Sequence, residues 1–147
     1  FDLTRDLGLL YANTECGIFG VLPQENRPEA VGEAIPVARR TEVRTGKAVI
    51  LANCRGDEVC AYEIEIEKLY GGSAPTRNLL LRVTDPALIA LTGGIVQGMS
   101  GSPIVQDGKL VGAVTHVLLD DPQRGYGILA ENMLSASGMT AQSAASA

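Results

Sequence analysis

Aromatic residues, histidine and long apolar runs are all scarce in this chain of 147 residues, which has no tryptophan, two phenylalanines and one histidine. The longest apolar run, residues 110–119, is broken by His116 and falls well short of the ~20 residues that a membrane-spanning helix requires. An excess of positive charge is missing too: 12 basic against 17 acidic side chains leave a formal charge of −5 and a pI near 4.8. No basic cluster is longer than Arg39-Arg40. Because phosphate binding draws most of its affinity from Lys and Arg, the balance argues against nucleic acid or an anionic membrane surface as a partner. There is no Cys/His metal spacing and no phosphate-cradling glycine loop, so no cofactor and no metal are expected. Asp120-Asp121-Pro122 reads as a turn, since the surrounding ligands of a calcium loop are absent. Three cysteines cannot all pair. Cys54 and Cys60 flank Arg55-Gly56-Asp57-Glu58, where a hairpin turn is expected, and that spacing is compatible with a cross-strand disulfide; Cys16 reads as a small core residue of an apolar strand. The opening, Phe1 followed by Asp2, Arg5 and Asp6, is neither an initiator methionine nor a signal peptide and reads as a processed product or part of something longer.

What is present is 46% apolar, enough for one domain that buries about two-thirds of its unfolded surface. Seventeen glycines, seven prolines and short apolar segments between turn signals predict a mostly β protein. The clearest strand is 60–69, where Tyr62, Ile64 and Ile66 alternate with Glu63, Glu65 and Glu67, giving one buried and one solvated face. Further strands are expected at 15–22, 48–54, 78–84, 102–106, 109–119 and 126–130. Asp107-Gly108 between two apolar runs predicts a type I′ hairpin, whose central positions need positive φ. Helix is slight: Asp85 as N-cap, Pro86 at the first position and 87–91 behind it predict a turn or two ended by Gly93-Gly94. A second short helix is expected near Glu131, and 135–147 reads as a disordered or tag-like tail.

The stretch that carries chemistry is Gly98-Met99-Ser100-Gly101-Ser102-Pro103. A serine flanked by glycines lets the backbone approach a substrate carbonyl, and the amides of Gly98 and Ser100 can converge on a developing oxyanion, where losing one donor typically costs roughly 3 to 4 kcal/mol. On residues alone the same stretch is equally a tight turn into a hairpin. The α/β-hydrolase elbow fits poorly: it needs glycine where Ser102 stands and a helix after the serine, whereas Pro103 leads into a strand.

Residues 93–103, then Gly112-Ala113-Val114-Thr115-His116-Val117, then Asp121-Pro122 and Gly125-Tyr126-Gly127, resemble the C-terminal half of the SpoIVB peptidase family, serine peptidases of spore-forming bacteria with a chymotrypsin-like double-barrel fold. Cys16-Gly17-Ile18-Phe19-Gly20, 34–38 and Thr41-Glu42-Val43 also resemble that family. The resemblance covers 14–135 as a partial, second-barrel peptidase domain, with 1–13 as a lead-in and 136–147 as a flexible tail. It implies an antiparallel β-barrel with one or two short helices, Ser100 as nucleophile, Gly98 in the oxyanion hole and Asp85 as catalytic acid, although Asp85 already has a sufficient task as a cap. It also implies a peptide or protein substrate, self-cleavage, and cleavage of a regulatory membrane protein in sporulation signalling. The implied site is the space between the two forespore membranes, with membrane association only through parts outside this chain.

One departure stands against these matches. The family's general base lies in an upstream segment of the type Gly-Ala-Leu-Gly-His, whereas the single histidine here is His116. A serine hydroxyl is a poor nucleophile without a base. Three readings of His116 follow: a residue that contacts substrate or supports the Ser100 loop, a packed histidine, or the base itself, which would need to come within about 3 Å of the serine oxygen. The rival to a peptidase is a binding or regulatory domain that keeps the loop without the chemistry and takes an extended peptide by strand addition.

Overall fold

In the computed structural model, which describes residues 7–27, 33–56, 58–71 and 74–138, six antiparallel strands close into a barrel. After a hairpin of β1 (Leu9–Thr14) and β2 (Gly17–Val21) come β3 (Gly46–Arg55), β4 (Glu58–Leu69) and β5 (Leu79–Val83). The chain continues through helix α1 (Pro86–Thr92), β6 (Pro103–Gln106), β7 (Lys109–Leu118), β8 (Asp121–Leu129) and helix α2 (Ala130–Ala136). The barrel order is β3-β4-β5-β8-β7-β6.

The period-two pattern of β4 decides which way the barrel faces. Tyr62, Ile64 and Ile66 are buried, as expected, and meet Ile50, Leu81 and Ile104 from other strands. Each such side chain contributes about 1.5–3 kcal/mol on full burial. The opposite face of β4 is more than a solvated stripe. Arg82 on β5 and Arg124 on β8 stand directly across from each other, an unfavourable like-charge pair by itself. Glu67 lies between them and accepts from both, at 2.9 Å from Arg82 and 3.0 Å from Arg124, while Glu65 takes the other arm of Arg82.

Two buried polar side chains replace ladder bonds where the barrel frays. The Gln106 amide donates to the carbonyls of Arg44 and Lys47 and accepts from the Arg44 N–H, closing the β3–β6 seam at its lower end. Asn78 donates to Ala74 and accepts from the Leu129 amide and from Asn132, tying α2 to the barrel. Between β7 and β8 the strands approach so closely at Gly112 that a Cβ there would lie 1.9 Å from the Ile128 carbonyl oxygen.

The β6–β7 connection is the expected Asp107-Gly108 turn, with φ of +51° and +74°. Elsewhere the sequence expectations need correction. Residues 9–14 form a strand, β1, that was not expected. Cys16 lies in the turn after it, half-buried, because the Thr14 hydroxyl accepts from the Cys16 amide and donates to the Gly17 carbonyl and so reverses the chain there. β8 begins at Asp121 rather than at 126, and α2 takes in Ser135 and Ala136, which had been assigned to the tail. Positions 139–147 of that tail, and Asp57 of the β3–β4 turn, lie outside the described residues. Among the described residues no helix is long and apolar enough to cross a membrane.

Candidate active site

Residues 93–102 connect α1 to β6, and their course is set by one buried anchor. Met99 is 6% exposed and packs into the core. Its amide bonds to the Val96 carbonyl, and its own carbonyl receives the Ser102 amide. On the other side the Gly101 amide reaches the Val114 carbonyl of β7 at 2.8 Å, and Val114 returns a bond to the Ser102 carbonyl at 3.0 Å. Gly98 and Gly101 take φ of +97° and +92°, a region that L side chains avoid, so glycine is required by conformation here and not by crowding.

This bonding leaves Ser100 at the crest of the loop. Its side chain is exposed, and its hydroxyl donates to the Thr115 carbonyl of β7 at 3.0 Å. The amides of Met99, Gly101 and Ser102 are committed to the turn, whereas those of Gln97, Gly98 and Ser100 have no acceptor among the described residues. Two of these free donors are the pair expected to face an oxyanion. Thr115 is fixed in turn by its own hydroxyl, which donates to the Tyr126 carbonyl at 3.1 Å and the Thr76 carbonyl at 3.3 Å.

The other expected residues do not join Ser100. His116 is the next residue along β7 and exposed, paired across the sheet with Tyr126, and the Ser100 hydroxyl is bonded to the neighbouring carbonyl and not to its ring. Asp85 caps α1. One carboxylate oxygen accepts from Ala87 at 2.8 Å and Leu88 at 3.1 Å, the other from Glu63 at 3.1 Å. Burial alone would push that carboxyl up, but the amides of Glu63, Leu88 and Ala87 together outweigh it and hold the pKa below its ordinary value.

Beside Ser100 opens a hollow of about 570 Å³ between the end of β3 and the loop, and neither Asp85 nor His116 lines it. Sequence reasoning missed both this hollow and the Thr115 acceptor. On β4, the Tyr62 hydroxyl is buried with no hydrogen-bond partner among the described residues. Burial, then the thiols of Cys60 and Cys54 beside it, push its pKa up to about 12. All three cysteines are free, so the Cys54–Cys60 bridge is not formed: the β3–β4 register sets Ala52 across from Cys60, and a bulge between Ala52 and Arg55 displaces Cys54. Among the described residues no group of three or more His, Cys, Asp or Glu side chains is placed to hold a metal ion.

The comparisons with known proteins fit this architecture. The Rv3671c protease from M. tuberculosis in its active form superposes with a TM-score of 0.58 at 21% identity, over 90% of this chain and 59% of that one. Its inactive form gives 0.57 at 19% identity, over 89% and 65%. A serine-to-alanine mutant of the same protein in an inactive form gives 0.57 at 19%, over 89% and 63%. At these identities the likeness establishes the chymotrypsin-like fold, and the chain spans less than two-thirds of each of those proteins. No curated protein matches the sequence. The family model of the SpoIVB peptidase S55 matches residues 2–134. With nearly its whole length matched, the chain belongs to the SpoIVB peptidase family.

Proposed function

We propose that this chain carries the nucleophile and oxyanion hole of a serine endopeptidase, with Ser100 as the attacking residue. The observation that carries the reading is the Ser100 loop itself: an exposed hydroxyl held by one hydrogen bond, beside amides at Gly98 and Ser100 that have no acceptor among the described residues. Attack of the Ser100 oxygen on a peptide carbonyl transfers its proton to a base and forms a tetrahedral oxyanion stabilised by those amides. Collapse expels the amine, which takes the proton, and leaves an acyl-enzyme that water hydrolyses by the same path in reverse. We assign the base to the histidine segment that the family resemblance places upstream, because His116, the sequence's single histidine, does not meet the Ser100 hydroxyl. Asp85 serves first as a helix cap; a catalytic share would act through that base.

Family membership supports the finer reading: a protease exported to the space between the forespore membranes, acting in sporulation signalling on a regulatory membrane protein and on itself. A second reading is favoured by one observation. The Ser100 hydroxyl points to a backbone carbonyl, and the Asp85 carboxylate is filled by three amides, an arrangement that suits a peptide-binding or regulatory domain which retains the loop.

A fluorophosphonate serine probe separates the two. It is applied to this chain, to its Ser100→Ala variant and to a longer chain with an upstream histidine segment. Labelling of the longer chain that vanishes with Ser100→Ala supports the peptidase. Labelling of the short chain as well would return His116 to the role of base. Absence of labelling in both chains would overturn the peptidase reading in favour of the binding domain.

A further inference from the structure

We infer that the outer face of the barrel where β4, β5, β8 and β7 lie side by side binds an acidic segment of a polypeptide partner, through Lys68 and Arg77. The inference starts from the strand register. Lys68 pairs with Leu80, Leu80 with Tyr126 and Tyr126 with His116, so these residues form one row across four neighbouring strands. Residues directly opposite each other in antiparallel strands project from the same face of the sheet. Lys68 and His116 are exposed and Leu80 and Tyr126 half-buried, which makes this the outer face.

Beside this row two cations are set on two tyrosine rings. The Lys68 ammonium lies 4.9 Å from the centre of the Tyr70 ring, and the Arg77 guanidinium carbon lies 5.2 Å from the centre of the Tyr126 ring. The two rings are themselves neighbours, 6.2 Å apart and tilted by 55°. Both cations are within the ~6 Å over which a ring quadrupole attracts positive charge. The rings position the two cations without neutralising them, because a ring carries no net charge. A guanidinium over a ring retains its N–H donors for a carboxylate, in the two-point geometry that lysine cannot offer.

The carboxylates of this face are already used. In the next row Arg82 stands opposite Arg124. Glu65 and Glu67 pair with Arg82, and Glu67 and Asp121 pair with Arg124. Neither Lys68 nor Arg77 has a carboxylate partner among the described residues. Two cations are thus left over in a chain whose formal charge is −5. At physiological ionic strength charges more than about 8 Å away are largely screened, so the sign of this face, and not that of the whole chain, decides what docks on it. A long polyanion would also meet the acidic remainder of the surface, whereas a short run of Asp or Glu meets only this face. Cations on separate rings call for carboxylates at separate points of one chain. Leu80 and the rings between them offer apolar surface to the residue in between. The face is joined to the Ser100 loop through Thr115, whose hydroxyl donates to the Thr76 and Tyr126 carbonyls and whose own carbonyl accepts from Ser100.

Titration calorimetry of this chain with short blocked peptides tests the inference without any chemistry at Ser100. A pentapeptide that alternates glutamate with leucine should bind at least tenfold more tightly than its glutamine and lysine counterparts. Lys68→Ala and Arg77→Ala should each weaken that binding at least fivefold. Arg44→Ala, which removes an exposed cation paired with Asp107 elsewhere on the barrel, should leave it unchanged. Tyr126→Phe keeps the ring and should bind like the parent, whereas Tyr126→Leu should lose as much as Arg77→Ala. Absence of binding, or equal affinity for the glutamate and glutamine peptides, would overturn the inference. Equal weakening by Arg44→Ala would overturn it as well, since charge at large and not this face would then govern binding. A single-stranded oligonucleotide of matching charge that bound as tightly as the peptide would rule out the selective polypeptide partner. Failure here leaves the peptidase reading untouched, and absence of probe labelling at Ser100 leaves this binding face untouched.

Discussion

The Ser100 hydroxyl donates to the backbone carbonyl of Thr115 at 3.0 Å, one residue short of the chain's single histidine. A carbonyl can orient a serine but cannot take its proton at neutral pH, so under the proposed peptidase reading the hydroxyl must turn from this bond toward a base. The rest of the loop is held by Met99 in the core and by backbone bonds to β7, none of which involves the Ser100 side chain.

Ser100→Ala should therefore leave the fold intact. An exposed hydroxyl with one neutral hydrogen bond contributes about 0.5–1.5 kcal/mol at most. Calorimetry should show a shift of a few degrees in Tm, together with complete loss of probe labelling in the longer chain. A large loss of stability would mean that the serine holds the turn, and would count against its role as nucleophile.

Asp85 separates capping from catalysis. Asp85→Ala should cost about 1 kcal/mol, whereas asparagine, which caps nearly as well, should cost clearly less. The pH dependence has a definite sign. Because the folded carboxyl titrates below its ordinary value of 3.8, its stabilisation is present above that pH and is lost as the pH falls through the lower folded value. Acid titration of stability should be shallower below pH 3.8 in Asp85→Asn than in the parent. Unchanged stability in Asp85→Asn with labelling abolished in the longer chain would instead identify a catalytic acid.

How much of this was legible in the sequence depends on whether side chains or backbone carry each feature. The alternation of Tyr62, Ile64 and Ile66, the Asp107-Gly108 turn and the Asp85-Pro86 helix start are all side-chain signals, and all three are realised. β1 was missed because Leu9, Leu10 and Tyr11 are exposed on both faces and show no alternation. The start of β8 was missed because Pro122, Gln123 and Arg124 are all exposed and show no apolar alternation. At the site, Ser100 and Gly98 were visible as a motif. Thr115 was not, since a carbonyl acceptor carries no residue identity, and the hollow was not, since β3 and the loop meet only in the closed barrel.

Tyr62 offers a test of the barrel interior behind the site. Its hydroxyl is buried with no hydrogen-bond partner among the described residues, so its desolvation is left uncompensated by them. Tyr62→Phe should leave Tm unchanged or raise it. Since the folded pKa is pushed up to about 12, the parent's stability should hold below the ordinary tyrosine value of about 10 and decline as the pH rises toward 12. Tyr62→Phe should lack that part of the alkaline decline. A lower Tm in Tyr62→Phe would mean that the thiols of Cys54 and Cys60 hold the hydroxyl more strongly than its geometry indicates.

Gly98→Ala tests the proposed oxyanion hole without touching Ser100. A Cβ at Gly98 would meet nothing within 4 Å, so the substitution fails on conformation alone. Holding alanine in a left-handed conformation costs roughly 1–2 kcal/mol. The loop can relieve that strain only by rotating the Gly98 peptide, which swings one of the free amides away from Ser100. Probe labelling of the longer chain should then fall at least tenfold while Tm drops by a few degrees, because Met99 and the bonds to Val114 still anchor the loop. Gly101→Ala provides the comparison: its φ is similarly positive, but its amide is bonded to Val114 and takes no part in the proposed hole. If both variants lost labelling equally, loop geometry at large would be responsible, and Gly98 would have no special claim as a donor.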